Sequence, residues 1–210
     1  MIEDERTSEM ESIWNRRSFV RTAAMGIAAP LFATEGQAAP TVGELGSALD
    51  AERMRSLVAF TMETMSTPHP VPYGAEIFKT EGGESLMRAT NAVGAENDPS
   101  AHGEVRTIRL ACKKLGTSSL KGYTLYTTCE PCAMCMACCL WARLDRVVYG
   151  ATIADAAKYG HQIMIPSAEV QRRSDMACIV TGPVERKRSL ELFTNSAMQA
   201  VFAQWKAAGA

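Results

Sequence analysis

The 210-residue sequence lacks an apolar run of the roughly 20 residues that a membrane-spanning helix needs. It also lacks an excess of charge, because 22 Lys and Arg face 23 Asp and Glu. Such a balance provides no basic surface for a long nucleic acid. We find no internal repeat and no low-complexity linker, and 47% hydrophobic with 21% charged residues is ordinary for a folded protein. The sequence therefore predicts one globular domain with some appended residues.

The first 38 residues differ in composition from the rest. An acidic start is followed by the pair Arg16-Arg17, a short apolar stretch and small residues up to Ala38, the arrangement that a signal peptidase needs. This order looks like a twin-arginine export signal, and the alternative is an amphipathic helix that packs on the domain. We predict a signal peptide over residues 1–38, one domain over residues 39–210 and a periplasmic location.

Removal of that segment leaves the charge close to zero. The remaining 18 Lys and Arg face 17 Asp and Glu, which gives a net charge near +1. Two short basic clusters, Arg172-Arg173 and Arg186-Lys187-Arg188, are expected on solvated faces. No long nucleic acid and no transmembrane segment are therefore expected. The twin-arginine route resembles a pathway for proteins that fold and take up a cofactor before export, which would suit a metal site.

Helical and strand-like patterns alternate along residues 39–210. Apolar positions at three- and four-residue steps predict a helix within residues 50–66, and two runs around Glu81-Gly82-Gly83 predict a β-hairpin. Asp98-Pro99 has the form of an N-cap followed by proline, at the start of a helix that ends at Gly116. A strand, a helix and a strand over YTLYTT, PCAMCMACCLWAR and RVVYGA imply a right-handed crossover with parallel strands. An apolar run at residues 177–181 and a long C-terminal segment at residues 185–206 complete the predicted α/β sandwich. Four apolar residues of the helix within the crossover are expected to serve helix packing, namely Met134, Met136, Leu140 and Trp141.

Five of the seven cysteines lie within eleven residues, in CEPCAMCMACC from Cys129 to Cys139. A disulfide framework is the least favoured explanation, because seven is odd and small secreted scaffolds spread their cysteines along the chain. An iron–sulfur cluster is a remote alternative, since the spacing C-x2-C-x2-C-x3-C matches a ferredoxin-type run. Leu140 stands where that run has proline, however, and a helix beginning at Pro131 would turn the four thiols to different faces.

A metal site that uses two of these five cysteines is the third explanation. Cys132 and Cys135 are three residues apart, so a helix places them on one face, and its N-terminus favours their thiolate form. His102 and Glu104 lie near the start of the preceding predicted helix. One histidine and two thiolates make three zinc ligands and leave the fourth tetrahedral position open, as in catalytic zinc sites. Glu104 is then a spare carboxylate beside the metal.

The pattern H-x-E followed by P-C-x-x-C is the signature of zinc-dependent nucleobase deaminases. The stretches NDPSAHGEVRTIR and TLYTTCEPCAMCMACCLWARLDRVVYGATIADAAKYG resemble the cytidine and deoxycytidylate deaminase superfamily, and within it the bacterial guanine deaminases and the tRNA adenosine deaminases. The resemblance implies a three-layer α/β/α sandwich with a mixed five-stranded sheet, Zn2+ as cofactor, hydrolytic deamination and a homodimer. The site residues that it implies are the zinc ligands His102, Cys132 and Cys135, the proton carrier Glu104, and substrate contacts at Asn91 and Ala101.

The likeness to guanine deaminases is best around CEPCAMC, WAR and DAAKYG, which favours a free amino-purine or a related heterocycle as substrate. Those enzymes follow the final glycine with phenylalanine and acidic residues that help to grip guanine, whereas this chain has His161-Gln162-Ile163. Leaving a buried donor unpaired costs roughly 1 to 3 kcal/mol. Neutral His161 and Gln162 are therefore expected to contact the substrate and to suit a different edge pattern, such as that of adenine, cytosine or a triazine.

Two other functions remain open beside the iron–sulfur alternative. The first is a nucleoside deaminase or a tRNA adenosine or cytidine deaminase, which shares the same metal site. The second is a non-catalytic module that keeps zinc for structure. Such a module would have no need of the carboxylate of Glu104, so the sequence favours an enzyme.

Overall fold

The computed structural model describes residues 47–207, so the predicted signal peptide and its boundary with the domain lie outside the described residues. Five strands form one sheet in the spatial order β2-β1-β3-β4-β5. β1 runs antiparallel to β2 and β3, whereas β3, β4 and β5 are parallel, which confirms the predicted mixed five-stranded sheet. The strands are β1 Gly74–Lys79, β2 Ser85–Thr90, β3 Tyr123–Cys129, β4 Arg146–Ala151 and β5 Ile179–Thr181.

The first described helix begins where its sequence has a capping box. Asp50 N–H donates to Ser47 Oγ over 3.1 Å and Ser47 N–H donates to the Asp50 carboxylate over 2.9 Å, so two backbone donors are satisfied at once. A 3-10 turn over Glu63–Ser66 follows it. The helices are α1 Ala48–Met62, α2 Val93–Glu96, α3 Gly103–Leu115, α4 Ala133–Trp141, α5 Ile153–Ala156, α6 Ser167–Arg172, α7 Arg186–Thr194 and α8 Ser196–Ala207.

Side chains of the central strands point alternately to the two faces of the sheet, as the pleat requires. Tyr126 and Val148 pack with the layer formed by α1, α7 and α8. Their neighbours Leu125 and Val147 pack on the opposite face with α3 and α4. The sheet is therefore covered on both faces, and the three-layer α/β/α sandwich is confirmed.

The helix predicted after Asp98-Pro99 begins later, at Gly103 with His102 as its N-cap. The Asp98 carboxylate accepts hydrogen bonds from the backbone N–H and the hydroxyl of Ser100, at 2.8 and 2.6 Å. This local turn competes with helix formation, as Asp side chains commonly do. The prediction of Asp98 as the N-cap is therefore wrong. The N-cap of α3 is His102, which is also a predicted metal ligand.

The predicted C-terminal segment at residues 185–206 consists of two helices. Asn195 ends α7, and its side-chain oxygen accepts from Ala197 N–H over 2.9 Å at the start of α8. The last strand is only three residues long and begins at Ile179.

One face of α4 is more exposed than expected. Met136 and Leu140 are buried as predicted, but Trp141 is 72% exposed and Met134 is 36% exposed. These two residues are seven positions apart, which is about two helical turns, so they share a face directed away from the sheet. Within residues 47–207 no helix is both long and apolar enough to cross a bilayer.

Candidate zinc site and active-site cavity

The three predicted metal ligands lie at the starts of two helices. His102 is the N-cap residue of α3, and Cys132 is the N-cap residue of α4, where Cys135 follows within the first turn. N-cap side chains usually accept a hydrogen bond from the helix backbone. Neither His102 nor Cys132 does so. Their donor atoms are thereby left to face each other in the space between the two helices.

The distances fit a zinc ion. His102 Nδ1 lies 3.4 Å from Cys135 Sγ and 3.8 Å from Cys132 Sγ, and the three donor atoms all lie within 4.8 Å of one another. In a tetrahedral site with ordinary zinc–nitrogen and zinc–sulfur bonds, nitrogen and sulfur ligands are about 3.6 Å apart. The donor set of one imidazole and two thiols is also one that zinc prefers.

The electrostatics of the cluster favour thiolate. A hydrogen bond from the Cys135 thiol and a second from His102 lower the pKa of Cys132 to about 4. The same hydrogen bond raises the pKa of Cys135, and the interaction with Cys132 raises the pKa of His102. These shifts favour a thiolate at Cys132 and a protonated thiol at Cys135. A bound cation of charge +2 would favour deprotonation of both thiols.

Glu104 lies two residues after His102, in the first turn of α3, and is almost fully buried. Burial raises its pKa above the ordinary value for glutamate. Gly103, between the two, lets α3 begin close to the end of the sheet, because a Cβ there would lie 3.2 Å from the carbonyl oxygen of Tyr73 and 3.5 Å from Asn91 N. The glycine in H-G-E therefore eases the close approach of the helix to the Tyr73 carbonyl, whereas the distance to Asn91 N is an ordinary contact.

A cavity of ≈ 610 Å³ opens beside this cluster. It is lined by His102, Cys132 and Glu104, by the loop after β2, by the segment after α5 and by the end of α8. Lys and Arg are absent from the described residues that line it. The cavity is large enough for a small heterocycle.

Asn91 lines the cavity, whereas Ala101 does not. The side-chain oxygen of Asn91 accepts from Val93 N–H over 3.1 Å, and its backbone N–H donates to Tyr73 over 2.9 Å. The bond to Val93 orients the Asn91 side chain at the cavity wall. Ala101 is fully buried, and its backbone bonds hold the loop to Asp98 and Ala92. Its place in the structure is that of a loop residue, and its contact with the substrate stays a prediction.

His161 and Gln162 both line the cavity, as expected for substrate contacts. Sequence reasoning missed two residues beside them. Tyr73 lines the cavity, and burial raises the pKa of its phenol well above the ordinary value. Glu130 also lines the cavity. In the sequence, the position of Glu130 inside CEPC was the one indication that it lies near the site. Tyr73 was marked only as the start of a predicted strand.

The other cysteines of the cluster segment lie apart from the ligand set. Cys139 is fully buried in the core between the sheet and α3 and α4, and Cys129 is buried at the end of β3 with its Sγ 3.8 Å from Thr152 O. Among residues 47–207, the group of side chains that meets the spacing for a metal ion is His102 with Cys132 and Cys135. The four thiols of the ferredoxin-type spacing do not converge.

Residues 49–151 match the family described as cytidine and deoxycytidylate deaminase zinc-binding region. A tRNA-specific adenosine deaminase from Bacillus subtilis is 36% identical over 117 residues, which are 56% of this chain and 70% of that protein. The chain belongs to the cytidine and deoxycytidylate deaminase family. The matched residues include the whole His/Cys/Cys cluster, so zinc is the cofactor of this family member, as predicted.

Two guanine deaminases extend the comparison with the deaminase family. One from Bacillus subtilis is 47% identical over 89 residues, 42% of this chain and 56% of that protein, so the match spans only about half of its length. The solved structure of one from Nitrosomonas europaea has a TM-score of 0.64 at 22% identity and covers 86% of this chain and 99% of that chain. This second likeness shows the shared fold.

Proposed function

We propose that this deaminase-family protein hydrolyses the exocyclic amine of a small, neutral nucleobase or related heterocycle and releases ammonia. The observation that carries the proposal is the buried carboxylate of Glu104 beside the His/Cys/Cys cluster at the wall of the cavity. A zinc site kept only for structure would have four protein ligands and no such neighbour.

The metal ligands and Glu104 have separate roles in the proposed reaction. His102, Cys132 and Cys135 would hold zinc, which lowers the pKa of water from about 15.7 toward 7 and so makes it a nucleophile at neutral pH. Glu104 accepts a proton from the attacking water and delivers protons to the ring nitrogen and to the departing amine. A carbon–oxygen bond forms and the carbon–nitrogen bond breaks, so the two protons of water end on the ring nitrogen and on ammonia. Burial favours this use, because a raised pKa makes Glu104 a better proton acceptor.

The lining of the cavity supports a neutral substrate. Asn91 offers an amide donor, and His161 and Gln162 offer further donors and acceptors at the side of the cavity. A phosphorylated substrate would need basic side chains, and none of the described lining residues is Lys or Arg. The relatives named guanine deaminase make an amino-purine a reasonable first test, with adenine, cytosine and aminotriazines beside it.

An ammonia-release assay over guanine, adenine, cytosine, their nucleosides and aminotriazines tests the proposal. We expect a free base to have a kcat/KM at least about tenfold above that of its nucleoside. A kcat/KM for a nucleoside or single-stranded nucleic acid about tenfold above that of every free base would contradict the proposal of a free-base substrate. It would instead favour the activity for which the tRNA-specific relative is named.

We further propose that two copies of the chain associate as a homodimer. The exposed apolar residues Met134 and Trp141 on α4, with Leu110 on α3, support an interface on this side of the molecule. Exposed side chains of this size, grouped on neighbouring helices, are commonly covered by a partner.

We also propose export by the twin-arginine route, which the order of features in residues 1–38 supports. Replacement of Arg16-Arg17 by two lysines is expected to leave the protein in the cytoplasm with its signal uncleaved. Cell fractionation with mass spectrometry of the N-terminus measures this. Unchanged periplasmic recovery of the variant would remove the twin-arginine argument.

A further inference from the structure

Glu130 makes more hydrogen bonds to other segments than its neighbours in CEPC. One carboxylate oxygen accepts from Ile153 N–H over 3.1 Å. The other accepts from the N–H and the hydroxyl of Ser167, over 2.9 and 3.0 Å. Ser167 is fully buried. Because both oxygens are engaged, Glu130 is held in place although it borders the cavity.

These contacts hold both ends of one segment. Ile153 is the first residue of α5 and Ser167 is the first residue of α6, so each offers a backbone N–H that has no partner inside its own helix. Residues 157–166 connect the two helices and carry His161 and Gln162 to the cavity wall. Glu130 itself lies two residues before Cys132. One side chain therefore ties the segment to the loop that bears a metal ligand.

Tyr159, in the first half of the segment, packs on Phe193 and Phe202, whereas the second half has little support besides the bonds of Glu130. Residues 161–166 form neither helix nor strand, and Ile163, Met164 and Ile165 are exposed. Few buried apolar contacts make a segment easy to displace. The positions of His161 and Gln162 relative to the bound base thus depend on the hydrogen bonds at the two ends.

We propose that Glu130 is a positioning residue that sets base selectivity by fixing residues 157–166 against the metal-ligand loop. This inference rests on the proposed function, because it assigns a role to the segment in binding a base. Glu130 acts through His161 and Gln162, and the proton transfers stay with Glu104.

The test uses two variants and a matched control. Glu130→Gln replaces one accepting oxygen by an amide that faces a backbone N–H, and Ser167→Ala removes only the hydroxyl bond. Glu169→Gln is the control. Glu169 lies two residues after Ser167 and pairs with Arg172 and Arg173 at the surface, where ion pairs contribute little to stability. Each protein is characterised by zinc content, by calorimetric dissociation constants for the base panel, and by hydrogen–deuterium exchange.

For Glu130→Gln we expect the ratio of dissociation constants between the two tightest bases to change by about tenfold, with about threefold for Ser167→Ala and no change for the control. Zinc content stays within about twofold, and faster hydrogen exchange is confined to residues 157–166. Loss of zinc, an equal fall in affinity for every base, or an unchanged ratio in both variants would overturn the proposal.

Binding without turnover separates the two claims. If the wild type binds bases selectively but releases no ammonia, the proposed function fails while the role of Glu130 is still measured. If no base binds to the wild type, both claims are overturned.

Discussion

Cys132→Ser and Cys135→Ser are each expected to lose bound zinc and to lower ammonia release by more than about 100-fold, since changes to groups that only support zinc ligands already cost about 10- to 100-fold. A serine hydroxyl stays protonated at neutral pH, whereas the thiolate is the form that binds the metal. The two sulfur atoms lie 3.8 and 3.4 Å from His102 Nδ1, so the removal of either opens the cluster. Metal analysis of the purified variants measures the loss.

The same segment supplies three matched controls. Cys129→Ser, Cys138→Ser and Cys139→Ser should each retain bound zinc, because these thiols lie outside the ligand group. Cys139→Ser is expected to lower stability, since it places a hydroxyl in a fully buried apolar cluster. Cys129 lines the cavity and is the most sensitive control. Loss of zinc from any of the three would show that the ligand assignment is incorrect.

Glu104→Gln is expected to lower kcat by about 10²- to 10⁴-fold while zinc remains bound. Glutamine has nearly the same shape as glutamate but accepts no proton at neutral pH. Since Glu104 is buried in the first turn of α3, the substitution should leave the helix start and the ligands in place. Parallel measurement of kcat and of zinc content separates loss of the proton carrier from loss of the metal.

Glu96→Gln is the matched control for this variant. Glu96 lies at the end of α2 and pairs with Arg106 over 2.9 Å at the surface. The same chemical change there should leave kcat within about twofold, because exposed ion pairs contribute little. If Glu104→Gln retained the activity of this control, Glu104 would not be the proton carrier.

The ligands and the parallel pairing of β3 with β4 were accessible from the sequence because local patterns determine both. His102 and Cys132 stand at helix starts, and a strand, a helix and a strand in succession leave little choice of handedness. The exact start of α3 was missed because an Asp side chain can accept a backbone hydrogen bond either in a turn or at a helix N-cap. Asp98 does so in a turn, from Ser100 N–H.

The cavity wall was only partly accessible, because its residues come from distant parts of the chain. Tyr73 and Gln162 both line the cavity, and Trp205 reaches the same cavity from α8. None of these positions has a periodicity or a spacing that sequence can show. The exposure of Trp141 was also not accessible from the sequence. An apolar residue on a helix predicts burial but does not show which surface would cover it.

The relation between zinc occupancy and ammonia release, measured on one protein sample, tests the central claim most directly. Chelation followed by graded addition of zinc, with metal analysis at each step, gives occupancy and rate together for the best base of the panel. We predict a rate that rises in proportion to occupancy and reaches its maximum at about one zinc per chain. Protein that contains iron and no zinc, or a rate that does not change with zinc occupancy, would contradict the account.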